Sequence, residues 1–321
     1  MKLKLVLATA LVVAAAAVVV AFSSDDTFHG ISVKTPFDPS LHGKGAKTAG
    51  TQIIYHGGPV MHPVSVYYIY YGAVSSSVQT IMNDFLIDLN GEPPYGVNTT
   101  YFDTAPQPSP GPVLSTYTFN PPTGSSTGVW DHSVFRDNYS QGTQLGTSSV
   151  QNIVANALAG GVPGPNGVYV VITSPDVKIS GFCKSFCAYH NSSSTIVNGS
   201  LIRYALVPDP TQKCSGCNGG IAIYGDTATP NGDMGADTMT DDLMHELSET
   251  VTDPDINAWY TKGGAEVADL CNYVYSGSGA TVSTGTDGSG NTYHYNFANH
   301  GRRYLIQLIW KNVGAGFCAG S

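Results

Sequence analysis

The chain has 321 residues, of which only 12% are charged, and carries a formal net charge of −9. An acidic chain has no electrostatic footprint for nucleic acid and is repelled by an anionic membrane surface, so both function classes are set aside. It is rich in glycine (37) and tyrosine (19), a composition that suits a loop-rich, β-containing extracellular fold.

Met1 to Lys4 is a short basic start, Leu5 to Phe22 an apolar run rich in Ala and Val, and small residues follow. This is the pattern of a secretory signal peptide over residues 1–23, with a signal anchor as the alternative. No second long apolar stretch follows, so no membrane association is expected after cleavage. Residues 24–50 are polar and without period and read as a flexible leader. Residues 51–321 are expected to form a single domain.

Beyond the leader, Gln52–Tyr55 and Val64–Tyr71 are β-branched and aromatic, which predicts strands, the second buried on both faces. Ser75–Leu89 places Val78, Ile81, Met82, Phe85, Leu86 and Leu89 at helical spacing, and Asn90-Gly91 ends it. Ser115–Phe119 reads as another strand. Ser149–Ala159 reads as a helix stopped by Gly160-Gly161, with strands at Val168–Ile172 and Leu201–Val207. Asn218–Thr240 reads as a loop into a helix over Asp241–Val251. Ser276–Asn291 reads as a surface hairpin or loop, and Tyr304–Trp310 as a last strand. The alternation predicts an α/β fold, a mixed sheet with helices packed on it.

All six cysteines lie beyond residue 180 (Cys183, Cys187, Cys214, Cys217, Cys271 and Cys318). An even count behind a signal peptide predicts three disulfides stabilising the C-terminal half. The close pairs Cys183/Cys187 and Cys214/Cys217 bond locally or with each other, and either choice leaves Cys271 for Cys318. A four-cysteine zinc site from the two close pairs is the rival. Glycosylation sequons begin at Asn98, Asn138, Asn191 and Asn198.

The segment carrying chemistry is Asp241-Asp242-Leu243-Met244-His245-Glu246-Leu247-Ser248-Glu249. At about 100° per residue, His245 and Glu249 sit one turn apart with Glu246 and Asp242 on the adjoining flank. Leu243, Met244, Leu247 and Val251 gather opposite, so the polar group is expected to face a cleft. Zincin-like helices place two zinc ligands at i and i+4 with a Glu beside them as general base. Here Glu249 stands at the second position, and carboxylate oxygens bind zinc. The third ligand is expected from Glu266 or Asp269, with Asp255 as a further candidate. Asp253-Pro254 reads as a helix terminator, Asp253 bonding nearby amides. Glu246 is the expected catalytic base, and Tyr260, His190 and His300 are candidates for the oxyanion. A site this rich in carboxylates also suits calcium. His132 and His294 read as loop histidines, and His56 as part of a turn.

Tyr55-His56-Gly57-Gly58-Pro59-Val60, Gly181-Phe182-Cys183-Lys184-Ser185-Phe186-Cys187 with Tyr189-His190, Pro230-Asn231-Gly232-Asp233, and Gly301-Arg302-Arg303-Tyr304-Leu305 with Ile309-Trp310 resemble the EXORDIUM, or phosphate-induced protein, family. The resemblance runs from about residue 50 to 318. It implies a secreted apoplastic or cell-wall protein linked to growth responses, without a settled biochemical activity. The stretch from His245 to Pro254, with Glu266 to Cys271, is more similar to microbial relatives that resemble zincin-type peptidases. Two functions are therefore carried forward. One is a secreted zinc-dependent, peptidase-like hydrolase acting on extracellular protein or a cell-wall component. The other is a non-catalytic extracellular growth or signalling protein.

Overall fold

A computed structural model describes residues 32–36, 52–104, 109–161, 166–197, 200–211 and 214–321. The signal-peptide reading over 1–23 and most of the leader lie outside the described residues.

The centre is a seven-stranded mixed sheet. Its strands are β1 (Ser32–Lys34), β2 (Ser65–Tyr71), β3 (Trp130–Asp131), β4 (Val134–Asp137), β5 (Gly167–Thr173), β6 (Ala188–Val197) and β7 (Ser200–Pro208). They lie in the order β1-β6-β7-β5-β2-β4-β3. The inner contacts β7/β5, β5/β2 and β2/β4 are parallel, and both margins are antiparallel. Strands buried on both faces need continuous apolar runs. Accordingly Val66, Tyr68, Tyr70, Val168, Val170, Ile172, Ala205 and Val207 enter one core. Ile69, Tyr71, Tyr169, Val171, Tyr204 and Leu206 enter the other.

Helices α1 (Ser76–Leu89) and α3 (Met234–Thr252) cover the first face, and α2 (Thr147–Ala159) covers the second. Ser75 caps α1 by accepting from the Val78 amide at 3.1 Å, and Asn90-Gly91 ends it with Gly91 at φ +81°. Asp233 caps α3 by accepting from the Ala236 amide at 3.1 Å, which fixes its start seven residues before the expected Asp241.

Other expectations are corrected. Ser32–Lys34, assigned to a flexible leader, is an edge strand of the sheet. Ser115–Phe119 contributes only a single bridge, Thr118 to Ser65. Asn218–Thr240 contains a short helix, Gly219–Tyr224, as well as the first turns of α3. Tyr304–Trp310 is not one strand. Arg302–Tyr304 and Ile309–Lys311 belong to separate two-stranded sheets, because the Gln307 and Leu308 amides bond Asp241 Oδ1 and the Val274 carbonyl instead of a ladder. The hairpin reading holds in part, with Ser283–Thr286 pairing to Thr292–Tyr295.

The disulfides are Cys183–Cys214, Cys187–Cys217 and Cys271–Cys318. The close pairs therefore bond with each other, and the four-cysteine zinc site is excluded because those thiols are consumed. Asn98 is buried and donates to Ser248 Oγ at 3.3 Å, so the folded protein offers no glycan acceptor there. Asn138 is exposed and Asn191 half-buried, and Asn198 lies outside the described residues. Among the described residues no helix is long and apolar enough to cross a membrane.

Candidate metal centre

Helix α3 is buried from Gly235 to Thr252 on every side. The expected division into a core face and an open cleft face is thus corrected, since the polar flank is as dry as the apolar one. Buried charges persist only where other groups compensate them. The compensation comes from β1, from β6 and from residues 266–307.

In the C-terminal half of the helix, His245 Nε2 lies 3.1 Å from Glu249 Oε1 and 3.7 Å from Asp269 Oδ1. These three residues offer ligand atoms that all lie within 4.8 Å of one another. A second trio shares Glu249. His190 Nε2, on β6, is 2.9 Å from Glu266 Oε2 and 3.7 Å from Glu249 Oε2. Glu266 is therefore beside His190 and not in the His245 trio. Asp269 comes from a 3-10 turn, Asp269–Cys271. The amides of Ala268 and Asp269 donate to Glu249 Oε1 at 3.2 and 3.0 Å, and this holds the turn against the helix.

Two details suit the His245 trio to a cation. Its Nδ1 faces Gln307 Oε1 at 3.1 Å, while Gln307 Nε2 donates to the Ala268 carbonyl at 2.9 Å. The amide orientation this fixes leaves Gln307 Oε1 as an acceptor, so Nδ1 carries the proton and Nε2 is directed at the carboxylates. Nε2 itself makes no hydrogen bond. One imidazole nitrogen and two carboxylates are three donors of types that bind zinc, the number of protein ligands an open site uses. Burial opposes a cation at His245, but Glu249 and its other acidic neighbours outweigh it and push the imidazole up to about 10. The field at this point thus favours positive charge. His190 behaves oppositely: burial brings it down to about 4, despite Glu249.

Glu246 Oε1 accepts from the Lys34 backbone amide at 3.2 Å. Its Oε2 is buried and makes no hydrogen bond. Burial raises its pKa well above the carboxylate range, against the pull of His245. Of the cluster only Asp269 reaches solvent, its side chain 23% exposed.

The remaining candidates lie elsewhere. Asp255 is engaged with Arg203 at 2.8 Å and is no ligand. Tyr260 stacks on His56 at 3.6 Å between ring centroids, and His300 bonds Asp88 at 2.8 Å, so neither serves as the oxyanion donor at this cluster. His132 bonds Asp131 and His294 bonds Asp226, both away from the centre. Asp253 ends α3 as expected, its Oδ1 accepting from the Asn257 and Ala258 amides at 2.6 Å each. Sequence reading missed Gln307 and Lys34, and named His190 without seeing that it pairs with Glu266.

The conserved region of phosphate-induced protein 1 matches residues 53–320. The chain belongs to the EXORDIUM/phosphate-induced protein 1 family. It is 31% identical to the protein EXORDIUM-like 5 of Arabidopsis thaliana over 291 residues, 83% of this chain and 77% of that one. It is 30% identical to EXORDIUM-like 3 of the same plant over 307 residues, covering 88% and 87%. With the protein PHOSPHATE-INDUCED 1 of Nicotiana tabacum it shares 27% over 287 residues, 80% and 84%. No solved structure matches the chain. The family motifs have physical roles in this EXORDIUM-family fold. In Tyr55-His56-Gly57-Gly58-Pro59, Gly57 has φ +98° and a Cβ on Gly58 would meet Asn257 Oδ1 at 1.8 Å. The cysteines of Gly-Phe-Cys-x3-Cys tie down the approach to β6, Cys187 lying three residues before His190.

Proposed function

We propose that this EXORDIUM-family member is a secreted, zinc-dependent, peptidase-like hydrolase. The reading is carried by the His245–Glu249–Asp269 trio, whose imidazole has one nitrogen fixed by Gln307 and the other directed at two carboxylates. Three disulfides and the signal-like N-terminus support secretion. His245 and Glu249 from the helix, with Asp269 from the turn, would hold the ion, and Glu266 with His190 would orient Glu249 from its other oxygen. A nitrogen donor favours zinc over calcium, which takes oxygen ligands. When bound, zinc would polarise a carbonyl and acidify a water. Glu246 would be the group that accepts a proton from a water held there. Burial holds its pKa above the usual carboxylate range, and its Oε2, which makes no hydrogen bond, is the atom available for the task.

A second reading rests on burial. Because only Asp269 reaches solvent, the same trio also suits a structural ion in a non-catalytic extracellular or wall-associated growth protein. Metal analysis and peptide hydrolysis separate the two. The hydrolase reading expects about one zinc per chain, lost in His245→Ala, and turnover lost in Glu246→Gln with the zinc retained. Zinc without turnover in the wild type supports the structural ion. A folded, metal-free wild type overturns both.

A further inference from the structure

We propose that the N-terminal half of α3 forms a lysine subsite for an extended peptide that adds to the edge of β6, and that residues 32–36 are this chain's own occupant of that subsite. The proposal deepens the peptidase reading, and rests on it only for calling the bound peptide a substrate.

β6 pairs with β7 along one edge, and among the described residues its other edge is met by the three residues of β1, antiparallel, with Ser32 opposite His190, Val33 opposite Tyr189 and Lys34 opposite Ala188. An open strand edge is a template for an added strand, in which backbone bonds give affinity and side-chain pockets give selectivity. The backbone is held as a bound peptide would be. The Cys187 amide donates to the Lys34 carbonyl at 2.7 Å, and the Tyr273 hydroxyl to the Thr35 carbonyl at 2.8 Å. The Lys34 side chain is completely buried. Its Nζ lies 2.6 Å from Asp241 Oδ2 and 3.1 Å from Asp242 Oδ1, and 5.1 Å from the centre of the Tyr273 ring. Tyr275 donates to Asp241 Oδ2 at 2.8 Å, and the Gln307 amide to its Oδ1 at 2.6 Å, so the pocket is shaped around a single ammonium group. Burial opposes the charge, but Asp241 and Asp242 outweigh it and hold Lys34 above the usual lysine range.

The position of this lysine links the pocket to the candidate base. The Lys34 amide donates to Glu246 Oε1. A peptide in the same register therefore presents the bond on the amino side of its lysine to Glu246. The segment thus fills the pocket and sets its backbone against Glu246.

The test uses the full oxidised chain in EDTA, so that binding is read without an ion or turnover. The probe is labelled acetyl-Ile-Ser-Val-Lys-Thr-Pro-amide, the chain's own residues 31–36. Lys34→Ala vacates the pocket. It is expected to bind the probe at least tenfold tighter than the native chain does, and at least tenfold tighter than it binds a probe with norleucine for lysine. Equal affinity for the two probes, or no binding by a variant that melts cooperatively, overturns the proposal and leaves Lys34 a structural ion pair. Should Lys34→Ala fail to fold, hydrogen exchange on the native chain decides. A large excess of the lysine probe is expected to speed exchange of the Lys34 amide at least tenfold over the norleucine probe, and an unchanged rate overturns it. These outcomes are independent of the zinc content that tests the hydrolase reading.

Discussion

The two faces of the central sheet are built on opposite terms. Under α2 the interior is apolar: Val150, Ile153, Val154, Ala157 and Leu158 meet Ile69, Tyr71, Val171 and Leu206. Under α3 the same sheet is met by a helix that buries Asp237, Asp241, Asp242, His245, Glu246 and Glu249. Burial explains the apolar side chains of the first face, since each one removed from water contributes about 1.5–3 kcal/mol. It does not explain the second, where ionisable groups cost stability unless each finds a partner. Such clusters of perturbed carboxylates and imidazoles gather where chemistry or binding is done. One helix supports the fold, and the other draws on that support.

Substitutions on each helix sharpen or break this contrast. The largest effect on stability is expected from Ile153→Ala on α2, a completely buried side chain. Loss of its methyl groups and the cavity left behind should cost about 2–5 kcal/mol, read by chemical denaturation, with bound zinc per folded chain unchanged. A change in zinc content there would join the two faces energetically and end the contrast. Gln307→Ala should act the other way, through His245. Losing such an orienting partner typically weakens metal binding about 10–100-fold, or roughly 1.4–2.7 kcal/mol. Zinc titration against a chelator reads this, and an affinity within twofold of wild type would show that Gln307 does not position the imidazole.

The remaining effect concerns Asp237, which burial pushes up to about 6 against its hydrogen bonds from Asn231. Because the folded-state pKa is raised, the folded protein keeps a proton that the unfolded chain has released between about pH 4 and 6. Asp237 therefore makes stability fall as pH rises through that window. Asp237→Asn should remove up to about 3 kcal/mol of this pH dependence, measured as the difference between the two stability profiles. Parallel profiles would show that Asp237 titrates alike in both states.

The sequence was most legible where one rule governed each residue. Val150, Ile153, Val154 and Leu158 at helical spacing marked α2, and the run from Val64 to Tyr71 marked β2 as a strand buried on both faces. The His245-Glu246-x-x-Glu249 spacing marked a candidate donor set because side chains one turn apart share a helix flank. Long-range pairing was not legible. β6 was missed because Asn191 to Ser194 is polar and carries no alternating signal. Gln307 was hidden because a neutral amide has no signature until its partner is seen across 62 residues. Lys34 stood in an aperiodic polar stretch, and only the folded chain reveals the two aspartates, Asp241 and Asp242, more than 200 residues away that enclose it.

The cross-links bear on more than rigidity. Cys187 lies three residues before His190, bonded to Cys217, and Cys271 lies two residues after Asp269, bonded to Cys318. Oxidation therefore pins the strand on one side of Glu249 and the turn on the other. Reduction is thus expected to loosen both walls of the centre at once.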